Sequence, residues 1–229
     1  MTTPHPLDHP LWHSLTTRHA ALAVGEGPAR RLRDDISILG ALADHGDAAA
    51  AAMLALTPPG AQFGLLEAGA PPAMPGTAIM LQAEIDQMVL ETPPAPGGPQ
   101  VDHAPLGEAD AAEMLALAEL TRPGPFLSGT HRLGRFIGVR HGGALVAMAG
   151  ERMKLPGWQE VSAICTHPDW RGHGFAEALM RPIIAQMLAE GDGVFLHCFP
   201  GNPAARLYEK LGFRRRRGMI YTILERTRE

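Results

Sequence analysis

Apolar and polar positions change their period several times along the chain, and each change predicts an element. In "GEADAAEMLALAEL" the residues Met114, Leu115, Leu117, Ala118 and Leu120 follow a helical stripe behind an acidic first turn. "RFIGVRHGGALVAMAGERM" instead holds two short apolar runs around His141-Gly142-Gly143, which predicts a β-hairpin with a glycine-rich turn. A third strand is expected in "WQEVSAICT", then a helix from about Phe175 to Glu190 whose apolar face is Leu179, Ile183, Met187 and Leu188. A strand "GVFLHCF", a helix near "PAARLYEKLG" and a strand "GMIYTILE" complete the run. Pro182 falls inside the first of these two helices, where it removes a donor and crowds the carbonyl of Ala178 at about 3 kcal/mol, so a kink is expected. The order of helices and strands is that of an α/β fold, in which two strands joined by a crossover helix must lie parallel.

The stretch "TPPAPGGPQ", Thr92 to Gln100, leaves no room for a helix or central strand and divides the chain into a lobe at 1–99 and a domain at 100–229. The first lobe mixes element types: "ARRLRDDISIL" is strand-like in part, "DAAAAAMLAL" helical, "QFGLLEA" a strand and "TAIMLQAEIDQMVLE" ambiguous. It carries no chemical motif. The start, "MTTPHPLDHPLWH", lacks the basic and apolar parts of a signal peptide, and its His5, His9 and His13 among prolines are expected to form a solvated arm.

Composition narrows the function classes. With 229 residues at 45% hydrophobic content the chain can bury a real core. A net charge of −4 gives no electrostatic reason to expect nucleic acid or an anionic membrane as a partner. No apolar run reaches membrane-spanning length. Cys165 and Cys198 lack the spacing of a zinc site or a disulfide framework, which fits a cytoplasmic, reducing compartment and no metal.

Chemistry concentrates in "THPDWRGHGFAEAL", Thr166 to Leu179. Glycine costs backbone entropy, so a cluster of it where a helix must begin implies that something approaches the main chain there. In Arg171-Gly172-His173-Gly174-Phe175-Ala176 the small residues at 172, 174 and 176 let successive amides turn inward, and the following helix adds its positive end, so a diphosphate would be held mainly by backbone. A dinucleotide fingerprint would need glycine where Glu177 stands, and the Gly-Lys-Ser/Thr of a P-loop is absent.

On this loop and on "NPAARLYEKLGF", Asn202 to Phe213, the chain resembles the GNAT (GCN5-related N-acetyltransferase) superfamily, over about Gly107 to Leu224 and most strongly from Glu160 to Phe213. Within it the FR47-like acyltransferases look closest. The resemblance implies a mixed central sheet flanked by helices, acetyl-CoA as acyl donor, and transfer to an amine of a small molecule or peptide by direct attack. An acyl-CoA-binding regulatory module without turnover is the alternative, and a homodimer is left open. It further implies that the backbone of Ile164, Cys165 and Thr166 binds the pantetheine arm and polarises the thioester, that residues Arg171 to Ala176 hold the diphosphate, and that Asn202 binds the pantetheine or cofactor backbone. Asn202 before Pro203 is equally a helix cap.

Two side chains carry the implied catalysis. Tyr208 matches the tyrosine that protonates the departing thiolate, the competing role being simple packing on the sheet. Glu160 matches a general base, the competing role being a solvated carboxylate at a strand start; its even spacing from Thr166 puts the two on one sheet face. Glu151 and Glu177 are further base candidates. The run Arg214 to Arg217 reads as a solvated turn, Cys198 as a small core residue rather than a nucleophile, and Trp158 and Phe126 as acceptor-pocket or core residues.

Overall fold

A computed structural model of the chain describes residues 5–228. Its elements are α1 (Pro10–Thr16), β1 (Ala23–Val24), β2 (Ala29–Leu32), β3 (Gly40–Leu42), α2 (Asp47–Leu56), β4 (Gln62–Glu67), β5 (Thr77–Leu90), β6 (Ala104–Leu106), α3 (Ala111–Thr121), β7 (Phe136–His141), β8 (Ala144–Leu155), β9 (Trp158–Thr166), α4 (Phe175–Ala189), β10 (Gly193–Cys198), α5 (Ala205–Lys210) and β11 (Phe213–Arg226). The first three strands form a small sheet, and the others form one eight-stranded sheet in the order β4-β11-β5-β10-β9-β8-β7-β6. β9 and β10, joined by α4, pair in parallel, as a crossover helix requires, while their neighbours are antiparallel.

This sheet crosses the boundary expected at 99/100. Residues 91–103 are irregular, as their prolines and glycines dictate, yet β4 and β5 before them interleave with β10 and β11 after them. A proline-rich break interrupts the chain without interrupting the sheet.

The arginine run corrects the expectation of a solvated turn. β11 begins at Phe213 and carries Arg214 to Arg217 along β5, with a register shift between Arg215 and Arg217. Arg215 pairs with Asp86, while Arg216 and Arg217 each reach Asp8 at 2.7 Å. Arg214 instead donates to the carbonyls of Glu209 and Phe213, so every cation of the run has an acceptor, and a strand tolerates the run on that condition.

Those pairs tie down the N-terminal arm, which is not solvated; its first four residues lie outside the described ones. Leu7, Leu11 and Leu15 are 0–1% exposed and pack with Ile36, Phe195 and Tyr221 on one face of the sheet. The prolines that suggested a loop sit at helix starts, Pro6 and Pro10 opening a short 3₁₀ turn and α1, where a missing N–H costs nothing. On the opposite face α4 runs on through Pro182 with Leu179, Ile183 and Met187 buried, so packing outweighs the local loss of one hydrogen bond.

Candidate active site

β9 and β10 pair at only three positions, Gly193 with Trp158, Val194 with Gln159 and Phe195 with Glu160, and then part. The gap opens into a cleft of about 580 Å³ lined by Val161 to Ile164 on one side and His197 to Phe199 on the other. The cause is local. Ala163 has φ +51°, a left-handed conformation unusual outside glycine, and the register on β8 jumps from Ser162–Gly150 to Cys165–Met148. This bulge flips the alternation of the strand. Cys165 enters the cluster of Met114 and Leu117 on α3, whereas Ile164 packs with the α4 cluster, so the even spacing of Glu160 and Thr166 no longer keeps them on one face. Burial pushes the Cys165 thiol up to about 12, and only its main chain is available to the cleft edge.

Immediately beyond β9 the glycine loop takes the expected shape. Gly172 and Gly174 have φ of +83° and +77°, and Gly174 is the N-cap of the 15-residue α4. Among the described residues, the amides of Gly172, His173 and Gly174 donate to no protein acceptor. A side chain at Gly172 would meet nothing within 4 Å. His173 Nδ1 folds back to the carbonyl of Trp170 at 3.0 Å and packs near Phe175, while Arg171 is exposed.

Tyr208 and Asn202 line the cleft from the far side. Tyr208 is 6% exposed, its ring is edge-on to Phe213, and burial raises its pKa well above the phenol value. Asn202 Oδ1 accepts from the amide of Ala204 at 2.9 Å in a turn ahead of α5, whose N-cap is Ala204 and not the expected Asn202, and its amide nitrogen stays unused by the described residues. Cys198 also lines the cleft, with burial holding its thiol at about 11.

Glu160 lies behind this surface, not in it. Its carboxylate is fully buried and accepts from Arg152 Nε and Nη2 at 2.7 and 2.6 Å and from His197 Nδ1 at 2.7 Å. Burial alone would raise its pKa; the Arg152 charge, its two hydrogen bonds and the bond from His197 override that and hold it at about 2. A chain of contacts continues from there. Gln87 Oε1 accepts from Arg216, which orients its amide nitrogen toward the Leu7 carbonyl and His197 Nε2 at 2.9 and 3.2 Å. His197 is therefore a donor to Glu160 and an acceptor from Gln87, which fixes the neutral Nδ1–H tautomer.

The other two glutamates are also engaged elsewhere. Glu151 is buried against Arg135 and Lys154, and Glu177 is held by Arg181 and Lys210. Tyr208 thus does not converge with either strand carboxylate. Among the described residues no aspartate or glutamate lines the cleft. Its apolar wall is Leu39, Leu66, Leu81 and Ile85, all from the N-terminal part of the chain, with Ile223 from β11. Trp158 packs away from it against His5, and Phe126 belongs to the α3 cluster beside a smaller depression.

A structure described as an acetyltransferase from the GNAT family, from Novosphingobium aromaticivorans DSM 12444, superimposes with a TM-score of 0.88 at 41% identity, covering 98% of this chain and 100% of that one. The chain belongs to the GNAT family. A GCN5-related N-acetyltransferase from Kribbella flavida shares the fold at 18% identity with a TM-score of 0.59, covering 89% of this chain and 88% of that one. The family model for FR47-like proteins matches residues 136–222, which span β7 to most of β11. No sequence match was found among curated proteins.

Members of the GNAT family take acetyl-CoA as cosubstrate, and this one is a GNAT-type acetyltransferase. Among the described residues no cluster of metal-ligating side chains occurs, and no helix is long and apolar enough to cross a membrane. For a GNAT cleft, three contributors escaped the sequence: Arg152, His197 as a partner of Glu160, and Tyr221. Arg152 alternates with buried Glu151 and Met153 on β8, a placement that only the strand register reveals. A thiol held near 11 is a poor nucleophile at neutral pH, so stopped-flow thiol release is expected to show no initial burst; a burst would make Cys198 an acyl carrier.

Proposed function

We propose that this protein transfers an acetyl group from acetyl-CoA to the nitrogen of an amine by direct attack, without an acyl-enzyme. The observation that carries the reading is the parting of β9 from β10, with the glycine nest at the C-terminal end of β9 and Tyr208 in the opposite wall. The thioester supplies an activated acyl carbon. The amides of 172–177 and the positive end of α4 suit the diphosphate, and the edge of β9 from Val161 onward, freed from β10, suits the amide-rich pantetheine arm. A main-chain amide of that edge is placed to stabilise the developing oxyanion.

Tyr208 delivers a proton to the departing sulfur. Burial raises the tyrosine, and the same apolar surroundings raise the thiol, so the transfer depends on their difference and not on either value alone. Glu160 serves as a positioning residue for Arg152 and His197. The amine loses its proton to water, so turnover should rise with pH through the ionisation of the amine itself. Two free, buried cysteines are compatible with the cytoplasm, where we place the protein.

Gly172→Val tests the donor site. Its new side chain meets no protein atom within 4 Å, so the change acts on the loop backbone and on the space a diphosphate would fill. Calorimetry should show acetyl-CoA binding by the parent weakened at least about tenfold in the variant, with Tm lowered by only a few degrees. Equal affinities would remove the diphosphate from this loop.

A further inference from the structure

We propose that the acceptor is an amine that also carries a carboxylate, and that Arg152 and Tyr221 receive this carboxylate in the floor of the cleft. The inference rests on the acetyltransferase reading of the same cleft and adds the chemical class of its second substrate.

Arg152 has donors to spare. Its contacts with Glu160 occupy Nε–H and one Nη2–H, leaving three of the five N–H groups without an acceptor among the described residues. Nη1 approaches within 3.9 Å of where a Cβ of Gly124 would stand, beside the loop Arg122 to Pro125 that lines the cleft. The bidentate grip of Glu160 fixes the guanidinium plane, and the hydrogen bond from His197 fixes Glu160 in turn, so the unspent edge presents a fixed fork.

Tyr221 stands in the same floor, 8% exposed, and its hydroxyl has no hydrogen-bond partner. Burial raises its pKa, and the Arg152 charge pulls the other way. A buried, unpartnered hydroxyl lining the same cleft as an arginine with spare donors leaves polar groups that an incoming carboxylate would satisfy. At the rim Arg122 is exposed and makes no ion pair among the described residues.

The remaining lining selects further. Among the described residues no carboxylate is present in the cleft to hold a second positive charge, which disfavours polyamines and basic peptides. Leu39, Leu66, Leu81, Ile85 and Ile223 suit an apolar body between the amine and its surroundings. The class is an apolar amino acid, with the carboxylate as its second handle.

The test uses the full chain, acetyl-CoA and a thiol-release readout with two sets of amines: leucine, leucinamide and 3-methylbutylamine, and 6-aminohexanoate with hexylamine. In at least one set the carboxylate compound should show kcat/KM about 30-fold or more above its carboxylate-free relatives. Leucinamide has a more acidic ammonium group than leucine, so ionisation of the amine opposes the result in that pair; 3-methylbutylamine has a less acidic one, so that pair is compared at equal concentration of free amine. Tyr221→Phe should raise KM for the carboxylate compound several-fold more than for the carboxylate-free amines, so that the preference between them narrows. Where none of the five turns over, calorimetric binding of leucine or 6-aminohexanoate, but not of the carboxylate-free relatives, to the CoA-saturated protein supports the site, and absence of binding overturns it. Equal kcat/KM across both sets also overturns it while leaving the transferase reading intact. Failure to bind acetyl-CoA at all would remove the reading beneath it, and the carboxylate site with it.

Discussion

Tyr208→Phe is expected to lower kcat by about 10²- to 10³-fold while leaving the Kd for acetyl-CoA within about twofold, the loss typical of a missing general acid. The substitution deletes one oxygen from a ring that is otherwise packed. Phe keeps the edge-on contact with Phe213 and the place beside Cys198, so stability should not fall. Burial keeps the phenol protonated well beyond its ordinary range, and the parent should therefore show no falling limb from this group up to at least about pH 10. Thiol release under saturating acetyl-CoA, followed over pH for both proteins, checks the point; equal kcat values would leave Tyr208 a packing residue.

Glu160→Gln is expected to act on stability before chemistry. The change leaves Arg152 without its counter-charge in a site where the carboxylate is 0% exposed, a class of lesion that costs about 3–5 kcal/mol. For a chain of this length each kcal/mol moves Tm by about 2–4 °C, so a fall of roughly 10 °C or more should appear in a thermal scan. The sign with pH follows from the depressed pKa. A carboxyl held at about 2 in the folded protein, against the usual 4.5, contributes stability that is complete above about 4.5 and is lost as the pH falls through about 2. The variant should lack that share of the acid dependence. Activity per folded molecule should show KM for the acceptor raised more than kcat is lowered, because Arg152 loses its support. A kcat loss of about 10²-fold with an unchanged KM and Tm would instead make Glu160 the base.

Much of the donor side was legible because it depends on short-range signals. The sequence 171–176 demands positive φ at Gly172 and Gly174, and the hairpin around Gly142-Gly143 and the crossover through α4 follow from local pattern alone. What escaped depends on groups far apart in the chain. Glu160 looked like a solvated strand residue or a base until Arg152 and His197, 8 and 37 positions away, were brought onto it. The arginines of 214–217 looked like a turn because their partners Asp8 and Asp86 are more than a hundred residues distant. The bulge at Ala163 broke the strand alternation with a residue that gives no hint of positive φ. The acceptor wall was hidden for the same reason, being built from Leu39, Leu66, Leu81 and Ile85 ahead of the proline-rich break.

β11 lies between β4 and β5, and it follows both of them in the chain by more than a hundred residues. While the nascent chain leaves the ribosome, β4 and β5 have no ladder partner on their facing edges until residues 213–226 emerge from the exit tunnel. Any early collapse that zips those two edges together must be undone before the sheet can close. Closure of this part of the sheet therefore waits for residues 213–226, and the interval before they emerge is the time when two bare edges are most vulnerable to pairing with a neighbouring polypeptide.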